Sequence, residues 1–186
     1  MTTRILVTYA SRSGSTAEIA ETIGRVLTTP SPSSPNSANF GEVLVDVQPM
    51  QDVRDLTPYQ MVIAGSAIRG AKWLPEAMQF IRMHQTSLRQ KPFAMFTVCI
   101  TLAMRNGAQY RTAVTNWTAP VRHLVRPLSE GLFAGILDFD KLPTNWETLK
   151  LRATVAMGIF PRGDHRDGNA VRDWAESLKP MLTIPA

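Results

Sequence analysis

The chain has 186 residues, of which 44% are hydrophobic and 19% charged, which excludes disorder over most of its length and predicts a full core. Twenty Lys and Arg against fifteen Asp and Glu give a net charge of +5, which favours anionic partners without choosing among phosphates, carboxylates, nucleic acid and membrane surfaces. One cysteine, Cys99, excludes an intrachain disulfide and a multi-cysteine metal site. There is no apolar run of about 18 residues and no secretory leader, so we expect a soluble, cytoplasmic protein.

The first half of the chain alternates apolar runs with helical patterns, which is typical of a parallel sheet covered on both faces. Ile5–Tyr9 predicts a first strand, and apolar residues at helical spacing predict a helix from about Thr16 to Leu27. The Pro- and Ser-rich stretch 29–39 is predicted to be a surface loop, because its three prolines exclude a helix or a central strand. Val43–Val47 and Gln60–Ser66 follow as the second and third strands.

The second half continues the same alternation. The apolar stripe from Leu74 to about Arg89 predicts a helix, and Phe93–Cys99 predicts a central strand. Apolar residues at steps of three and four from Tyr110 to Leu124 predict a further helical region. Pro120 interrupts this region, and the sequence leaves open whether the helix bends there or begins again with Thr118 as its cap.

The C-terminal part predicts a fifth strand, a long insertion and a closing helix. Gly131–Leu137 has strand character, and the amphipathic pattern of Val171–Leu178 has a candidate cap in Asp167 or Asn169. The insertion 138–167, about 30 residues long, exceeds the usual connection in a compact domain. Together the elements predict one α/β domain spanning the whole chain, built on a doubly wound five-stranded parallel sheet with helices on both faces.

The loop after the first strand, Ala10–Thr16, has the parts of an anion-binding site. It supplies four hydroxyl groups, a glycine backbone that can approach a ligand, and the first N–H groups of the predicted helix, and Arg12 adds a cation. The loop lacks the GxGxxG pattern of dinucleotide-binding loops and the Lys of a Walker loop, so neither ligand class is favoured. Taken alone, the pattern also fits a Ser- and Gly-rich loop that only caps the helix.

The order of residues in this loop, Ser11-x-Ser13-Gly14-x-Thr16, resembles the T-x-T-G-x-T phosphate loop of flavodoxins. The resemblance implies the strand order 2-1-3-4-5 and FMN as the cofactor, with FAD and NAD as poor competitors because the loop suits one terminal phosphate. The residues implied at the 5′-phosphate are Ser11, Arg12, Ser13, Gly14, Ser15 and Thr16. The arginine departs from the flavodoxin pattern.

Three later segments of the sequence narrow the resemblance to one branch of the flavodoxin-domain proteins. Gly65–Gly70, Phe133–Asp138 and Gly163–Ala175 together are similar to the menaquinone-dependent protoporphyrinogen oxidases and related flavodoxin-domain proteins. This branch implies that hydride equivalents pass from a porphyrinogen-like substrate to FMN and then to a quinone. The insertion 138–167 is expected to decide what the flavin reacts with, and the alternative is an extra helix packed on the sheet. Its residues suited to substrate carboxylates or an anionic membrane are Lys150, Arg152, Arg162 and His165.

By the same resemblance, two loops at strand ends meet the flavin ring. The first contains Ser66, Ala67, Ile68, Arg69 and Gly70, and the second contains Thr101, Leu102 and Ala103. Trp73 is a candidate for stacking on the ring, with packing at the start of a helix as the alternative interpretation. No aromatic residue lies between Ile100 and Gln109, so we expect a more open ring face than in many flavodoxins. An open face favours reaction with a substrate, and weaker retention of FMN is the alternative.

Other function classes find little support in the sequence. The three histidines are scattered, with no carboxylate or cysteine at ligand spacing, so no metal site is predicted, and no catalytic residue is identified. Basic residues are not interleaved with aromatic ones on one element, so no nucleic-acid partner is predicted. Two alternatives to the oxidase stay open: an electron-transfer flavodoxin with a redox partner, and a flavin-free interaction module. The basic charge also suits peripheral contact with the inner face of a membrane, and the oligomeric state is not indicated.

Overall fold

A parallel β-sheet forms the centre of the computed structural model, which describes residues 2–29, 42–104, 107–137, 155 and 163–183. The strands of the described residues are β1 (Thr3–Ala10), β2 (Val43–Pro49), β3 (Met61–Arg69), β4 (Lys72–Trp73), β5 (Phe93–Val98), β6 (Ser129–Phe133), β7 (Ile136–Leu137) and β8 (Gly163–Asp164). The five longer strands pair in parallel in the order β2-β1-β3-β5-β6. Counted among themselves, they have the predicted order 2-1-3-4-5, which confirms the flavodoxin-like fold.

Helices cover both faces of this sheet. In the described ranges they are α1 (Ser15–Thr28), α2 (Pro75–Met83), α3 (Gln85–Arg89), α4 (Gly107–Trp117), α5 (Ala119–Leu124) and α6 (Gly168–Leu178). Short 3₁₀ turns occupy Met50–Asp52, Ile100–Ala103 and Lys179–Thr183. Buried residues of α1 and α6 pack on one face of the sheet, and buried residues of α2, α3 and α5 pack on the other.

The central strands β1, β3 and β5 are buried on both faces, which explains their nearly continuous apolar sequence. Along β1, Ile5 and Val7 face the α1 side of the sheet, whereas Leu6 faces the α2 side. In the same way Ile63 and Phe96 belong to the α1 side. Each of these side chains is at most 1% exposed, so the two cores fix the strand register and hold the strand-end loops in place.

Several element boundaries match the predictions closely. The first helix begins and ends one residue outside the predicted limits, at Ser15 and Thr28. Asp167 caps α6, because its Oδ1 accepts the N–H groups of Asn169 and Ala170 at 3.0 Å each. Of the two cap candidates, Asp167 is therefore the one that the structure uses.

The predicted helix 74–89 is divided by His84 into α2 and α3. Between α4 and α5 the chain takes the second of the two predicted routes, in which a new helix begins after Thr118. The Thr118 hydroxyl donates to the carbonyl of Thr115 at 2.8 Å, so it closes α4 rather than capping α5. Pro120 lies in the first turn of α5, where its missing N–H has no helical partner to lose.

The predicted fifth strand, Gly131–Leu137, is wrong in its extent. The strand β6 ends at Phe133, whose carbonyl accepts the N–H of Cys99 at 3.0 Å. The chain then leaves the sheet, and β7 pairs with β8 in antiparallel fashion. Of the predicted loop and insertion, residues 30–39 and 138–162, apart from residue 155, lie outside the described residues.

Candidate functional site

The loop after β1 enters the first turn of α1 through a glycine in the left-handed conformation. Gly14 has a φ of +90°, which glycine adopts without the penalty that a Cβ brings. Its N–H donates to Ser11 Oγ at 3.1 Å, and its carbonyl accepts the N–H of Glu18 at 3.0 Å. The glycine is thus fixed at the helix N-terminus, where the first N–H groups have no intrahelical partner and a partial positive charge develops.

The hydroxyl groups of this loop differ in burial. Ser11 and Ser13 are half-buried, whereas Ser15 is 6% exposed and Thr16 is fully buried. Thr16 Oγ1 has no hydrogen-bond partner, and among the buried side-chain atoms of the described residues it shares this state with Thr8 Oγ1. A buried hydroxyl without a partner is unfavourable, and an anion at the helix N-terminus is a partner of the kind that Thr16 lacks.

Arg12 does not enter the centre of this loop. Its guanidinium forms an ion pair with Glu76 in the first turn of α2, with 3.0 Å between Nη2 and Oε2. The Arg12 side chain is 53% exposed, so the pair contributes little to stability. It does bring the phosphate loop beside the first turn of α2, which follows the predicted ring loop.

The first predicted ring loop is the end of a β-hairpin. Strand β3 extends to Arg69 and pairs with β4, and the two turn residues Gly70 and Ala71 have φ values of +57° and +58°. Ser66 is fully buried, and its hydroxyl donates to the carbonyl of Ala67 at 2.8 Å and accepts the N–H of Leu74 at 3.1 Å. The Ser66 hydroxyl therefore fixes the hairpin to the start of α2, which leaves the half-buried Ala67 and Ile68 and the exposed Arg69 and Gly70 at the strand end.

Trp73 is 3% exposed, and its indole Nε1 donates to Thr97 Oγ1 at 2.9 Å. It belongs to the core on the α2 side of the sheet, as the packing interpretation expects, and it offers no free face for stacking on a ring.

The second predicted ring loop is the 3₁₀ turn that follows β5. Thr101, Leu102 and Ala103 are half-buried there, beside the predicted core residue Cys99. Cys99 is 4% exposed, and burial raises the pKa of its thiol, so the sulfur stays protonated at neutral pH. Phosphate loop, hairpin end and 3₁₀ turn all follow the carboxyl ends of neighbouring strands, which is where open parallel sheets bind ligands.

Gly135, which the sequence does not mark as a site residue, also contributes to this edge of the sheet. Gly135 lies between β6 and β7, and a Cβ added there would stand 3.1 Å from Val98 Cγ1 and 3.6 Å from Ser15 Oγ. The carbonyl of Gly135 accepts the N–H of His165 at 3.4 Å. The absence of a side chain thus lets the exit from β6 approach the phosphate loop. The sequence shows a glycine between two apolar pairs of residues, but it does not show that this glycine lies beside Ser15 of the phosphate loop.

Other site types have no counterpart in the part of the chain that the structure describes. No three His, Cys, Asp or Glu side chains there lie close enough together to hold a metal ion. None of the described helices is both long and apolar enough to span a bilayer.

Comparison with solved structures shows the same fold. An oxidoreductase from Corynebacterium diphtheriae is 12% identical with a TM-score of 0.57, and the match covers 99% of each chain. A short-chain flavodoxin associated with a bacterial microcompartment is 14% identical with a TM-score of 0.54, covering 97% of this chain and 99% of that one. A Streptococcus pneumoniae flavodoxin is 16% identical with a TM-score of 0.52, covering 96% and 99% respectively. No curated relative matches the sequence.

Family assignment rests on the sequence itself. The flavodoxin domain matches residues 6–158, which include the phosphate loop, the larger part of β1 and the other four strands of the parallel sheet. FMN is the cofactor of this family. The left-handed glycine, the free N–H groups of α1 and the unpartnered Thr16 hydroxyl fit its terminal phosphate. The chain therefore belongs to the flavodoxin domain family.

Proposed function

We propose that this flavodoxin-domain protein is an FMN-dependent oxidoreductase, with a porphyrinogen-like substrate and a quinone as electron acceptor. The observation that carries the flavin part is the phosphate loop, where Gly14 at a φ of +90° and the unpartnered Thr16 hydroxyl meet at the start of α1. The substrate part is supported by the three later segments that resemble the protoporphyrinogen oxidase branch. In each cycle two electrons and two protons would leave the substrate and reduce the quinone to a quinol.

The chain's own residues would anchor and orient the cofactor. FMN, when bound, supplies the two-electron chemistry. The N–H groups at the start of α1 and the loop hydroxyls would hold the phosphate, which fixes the distance of the ring from the helix. The hairpin end after β3 and the 3₁₀ turn after β5 would meet the ring with backbone atoms, and Ser66 would keep the hairpin rigid.

An uncovered ring face separates this proposal from a plain electron carrier. Trp73 is withdrawn into the core, and the described part of the second loop, Ile100–Met104, contains no aromatic residue. A ring without an aromatic cover at these two places is accessible to a flat substrate. An electron carrier needs no such access, since electrons can pass through the exposed ring edge.

We predict that the purified protein is yellow, and that its apo form binds FMN and binds FAD much more weakly. Apo protein is titrated with each flavin by calorimetry, and menaquinone-analogue reduction is then followed with protoporphyrinogen as donor. Quinone reduction that depends on both FMN and porphyrinogen supports the full proposal. FMN binding without porphyrinogen oxidation leaves an electron-transfer flavodoxin, and absence of FMN binding contradicts the proposal altogether.

The opposite edge of the sheet supports a peripheral membrane contact as part of this proposal. A surface cavity of about 510 Å³ there is lined by the loops that enter β5 and β6, with no acidic residue among its lining residues. Its cations are Arg89, Lys91, Arg126 and Arg122, of which Arg122 is paired with Glu130. Leu128, which lines it, is 56% exposed, and Met83, the last residue of α2, is 70% exposed. Cations beside exposed apolar side chains suit an anionic bilayer surface.

We predict that the protein sediments with phosphatidylglycerol vesicles and not with phosphatidylcholine vesicles, and that high salt releases it. Leu128→Gln should weaken vesicle binding. The control is Leu44→Gln, which changes an exposed leucine on the edge strand β2. Equal binding of Leu128→Gln and the unsubstituted protein, or binding that does not require anionic lipid, would contradict this contact.

A further inference from the structure

Arg166 lies between two carboxylates that come from different parts of the chain. Its Nε and Nη2 donate to both carboxylate oxygens of Asp164, at 2.9 and 2.7 Å, and its Nη1 forms an ion pair with Glu18 on α1. The Arg166 side chain is only 22% exposed, whereas the Glu18 and Asp164 side chains are about half exposed. The hydrogen bonds between Arg166 and Asp164 raise the pKa of Arg166 and lower that of Asp164, so both of these groups are charged at neutral pH.

Glu18 places a negative charge at the phosphate loop. It lies in the first turn of α1, and its N–H donates to the carbonyl of Gly14 at 3.0 Å. Its Oε1 is 4.0 Å from the position that a Cβ on Gly14 would occupy. A carboxylate in a first helical turn favours the helix, but at this place it also repels a phosphate dianion bound by the same N–H groups.

The backbone around Arg166 is held on both sides. Before it, β8 pairs with β7, and the N–H of His165 donates to the Gly135 carbonyl. After it, Asp167 caps α6, whose buried face packs with α1 on the sheet. The fold therefore places the guanidinium beside Glu18, although the two residues are 148 positions apart in the sequence.

We propose that Arg166 is a positioning residue for the cofactor phosphate: its guanidinium pairs with Glu18, offsets the repulsion that this carboxylate exerts at the phosphate loop, and so sets the affinity for the 5′-phosphate of FMN. The proposal rests on the proposed function, because it assumes that the loop holds FMN. Arg166 then determines how well the phosphate loop binds an anion, although it lies in the C-terminal part of the chain and acts on the loop through Glu18.

The test compares FMN with riboflavin, which has the same ring and lacks the phosphate. Apo Arg166→Gln should bind FMN roughly three- to tenfold more weakly than the unsubstituted protein, as expected for one uncompensated charge near a dianion in a high-dielectric surface site. Its affinity for riboflavin should be unchanged. The loss for FMN should shrink at about 1 M salt, where the Debye length falls to roughly 3 Å.

Two further variants separate electrostatics from folding. Adding Glu18→Gln to Arg166→Gln should restore the FMN affinity, because the uncompensated carboxylate in the first turn of α1 is then gone. Arg25, in the last turn of α1, lines a surface groove together with Glu18 and Arg166. Arg25→Gln removes a cation from this groove and should leave FMN affinity unchanged.

Equal weakening for FMN and riboflavin, or no recovery in the double variant, would show that Arg166 only supports the fold and would overturn the proposal. Unchanged FMN affinity in Arg166→Gln would overturn it as well. If the unsubstituted protein binds no FMN, the proposed function fails first, and this inference fails with it.

Discussion

Gly14→Val is expected to abolish FMN binding while the fold is retained. Valine at a φ of +90° is strained, which costs about 1–3 kcal/mol of the free energy of unfolding. A Cβ at this position has nothing closer than Glu18 Oε1 at 4.0 Å, so no neighbour in the apo protein prevents folding. Relief of the strain, however, must rotate the backbone N–H groups that would hold the phosphate. Each hydrogen bond lost to a charged group contributes about 1.5–3 kcal/mol, so the loss of two or three removes most of the affinity.

Circular dichroism and denaturant unfolding of the apo variant check that the fold survives. Titration with FMN and with riboflavin then isolates the contribution of the phosphate, and Gly14→Val should show no preference for FMN over riboflavin. Retention of the original preference for FMN over riboflavin would mean that the phosphate is held elsewhere in the molecule. If Gly14→Val does not fold, Gly14→Asn takes its place in the experiment, because asparagine tolerates positive φ better than valine does. Gly14→Asn should still lose part of the preference for FMN.

The fold could be predicted because the three central strands, β1, β3 and β5, are short apolar runs that are buried on both sides. Short apolar runs such as Ile5–Tyr9 and Phe93–Cys99 are readily identified as buried strands. Because crossovers between parallel strands are right-handed, few arrangements of these strands in a sheet are then possible. Helix breaks were harder, because the apolar stripe continues through His84 and the break depends on the local backbone at that residue. The end of β6 was predicted too late, since Ile136 and Leu137 are as apolar as a core strand but pair with β8 instead.

The candidate site was predictable where it is local in sequence. The glycine and hydroxyls of the phosphate loop lie on consecutive residues, so their chemistry can be recognised from order alone. The role of Trp73 depends on a partner 24 residues away, Thr97, and spacing does not show whether the indole is buried or presented. The contact between Arg166 and Glu18 depends on how α6 and β8 return to α1, which no local pattern contains.

Thr16→Val is expected to change apo stability and FMN affinity in opposite directions. Valine has the shape of threonine, and it replaces a fully buried hydroxyl that has no hydrogen-bond partner. Removal of an unsatisfied buried polar group should raise the free energy of unfolding of the apo protein by about 1 kcal/mol. The same change removes a donor that the phosphate would use, so the FMN dissociation constant should rise by roughly tenfold or more, since a hydrogen bond to a charged group contributes about 1.5–3 kcal/mol.

Thr8→Val is the matched control for this variant. Thr8 is also fully buried with an unpartnered Oγ1, but it lies within β1, before the strand ends at the phosphate loop. Thr8→Val should stabilise the apo protein by a similar amount and leave FMN affinity unchanged, as measured by urea unfolding and calorimetric titration. Equal effects of Thr8→Val and Thr16→Val on FMN affinity would show that Thr16 has no special role. A stabilised Thr16→Val with unchanged affinity would mean that the Thr16 hydroxyl is not aimed at the phosphate, whereas opposite shifts confined to Thr16 would identify this hydroxyl as a group that binding satisfies.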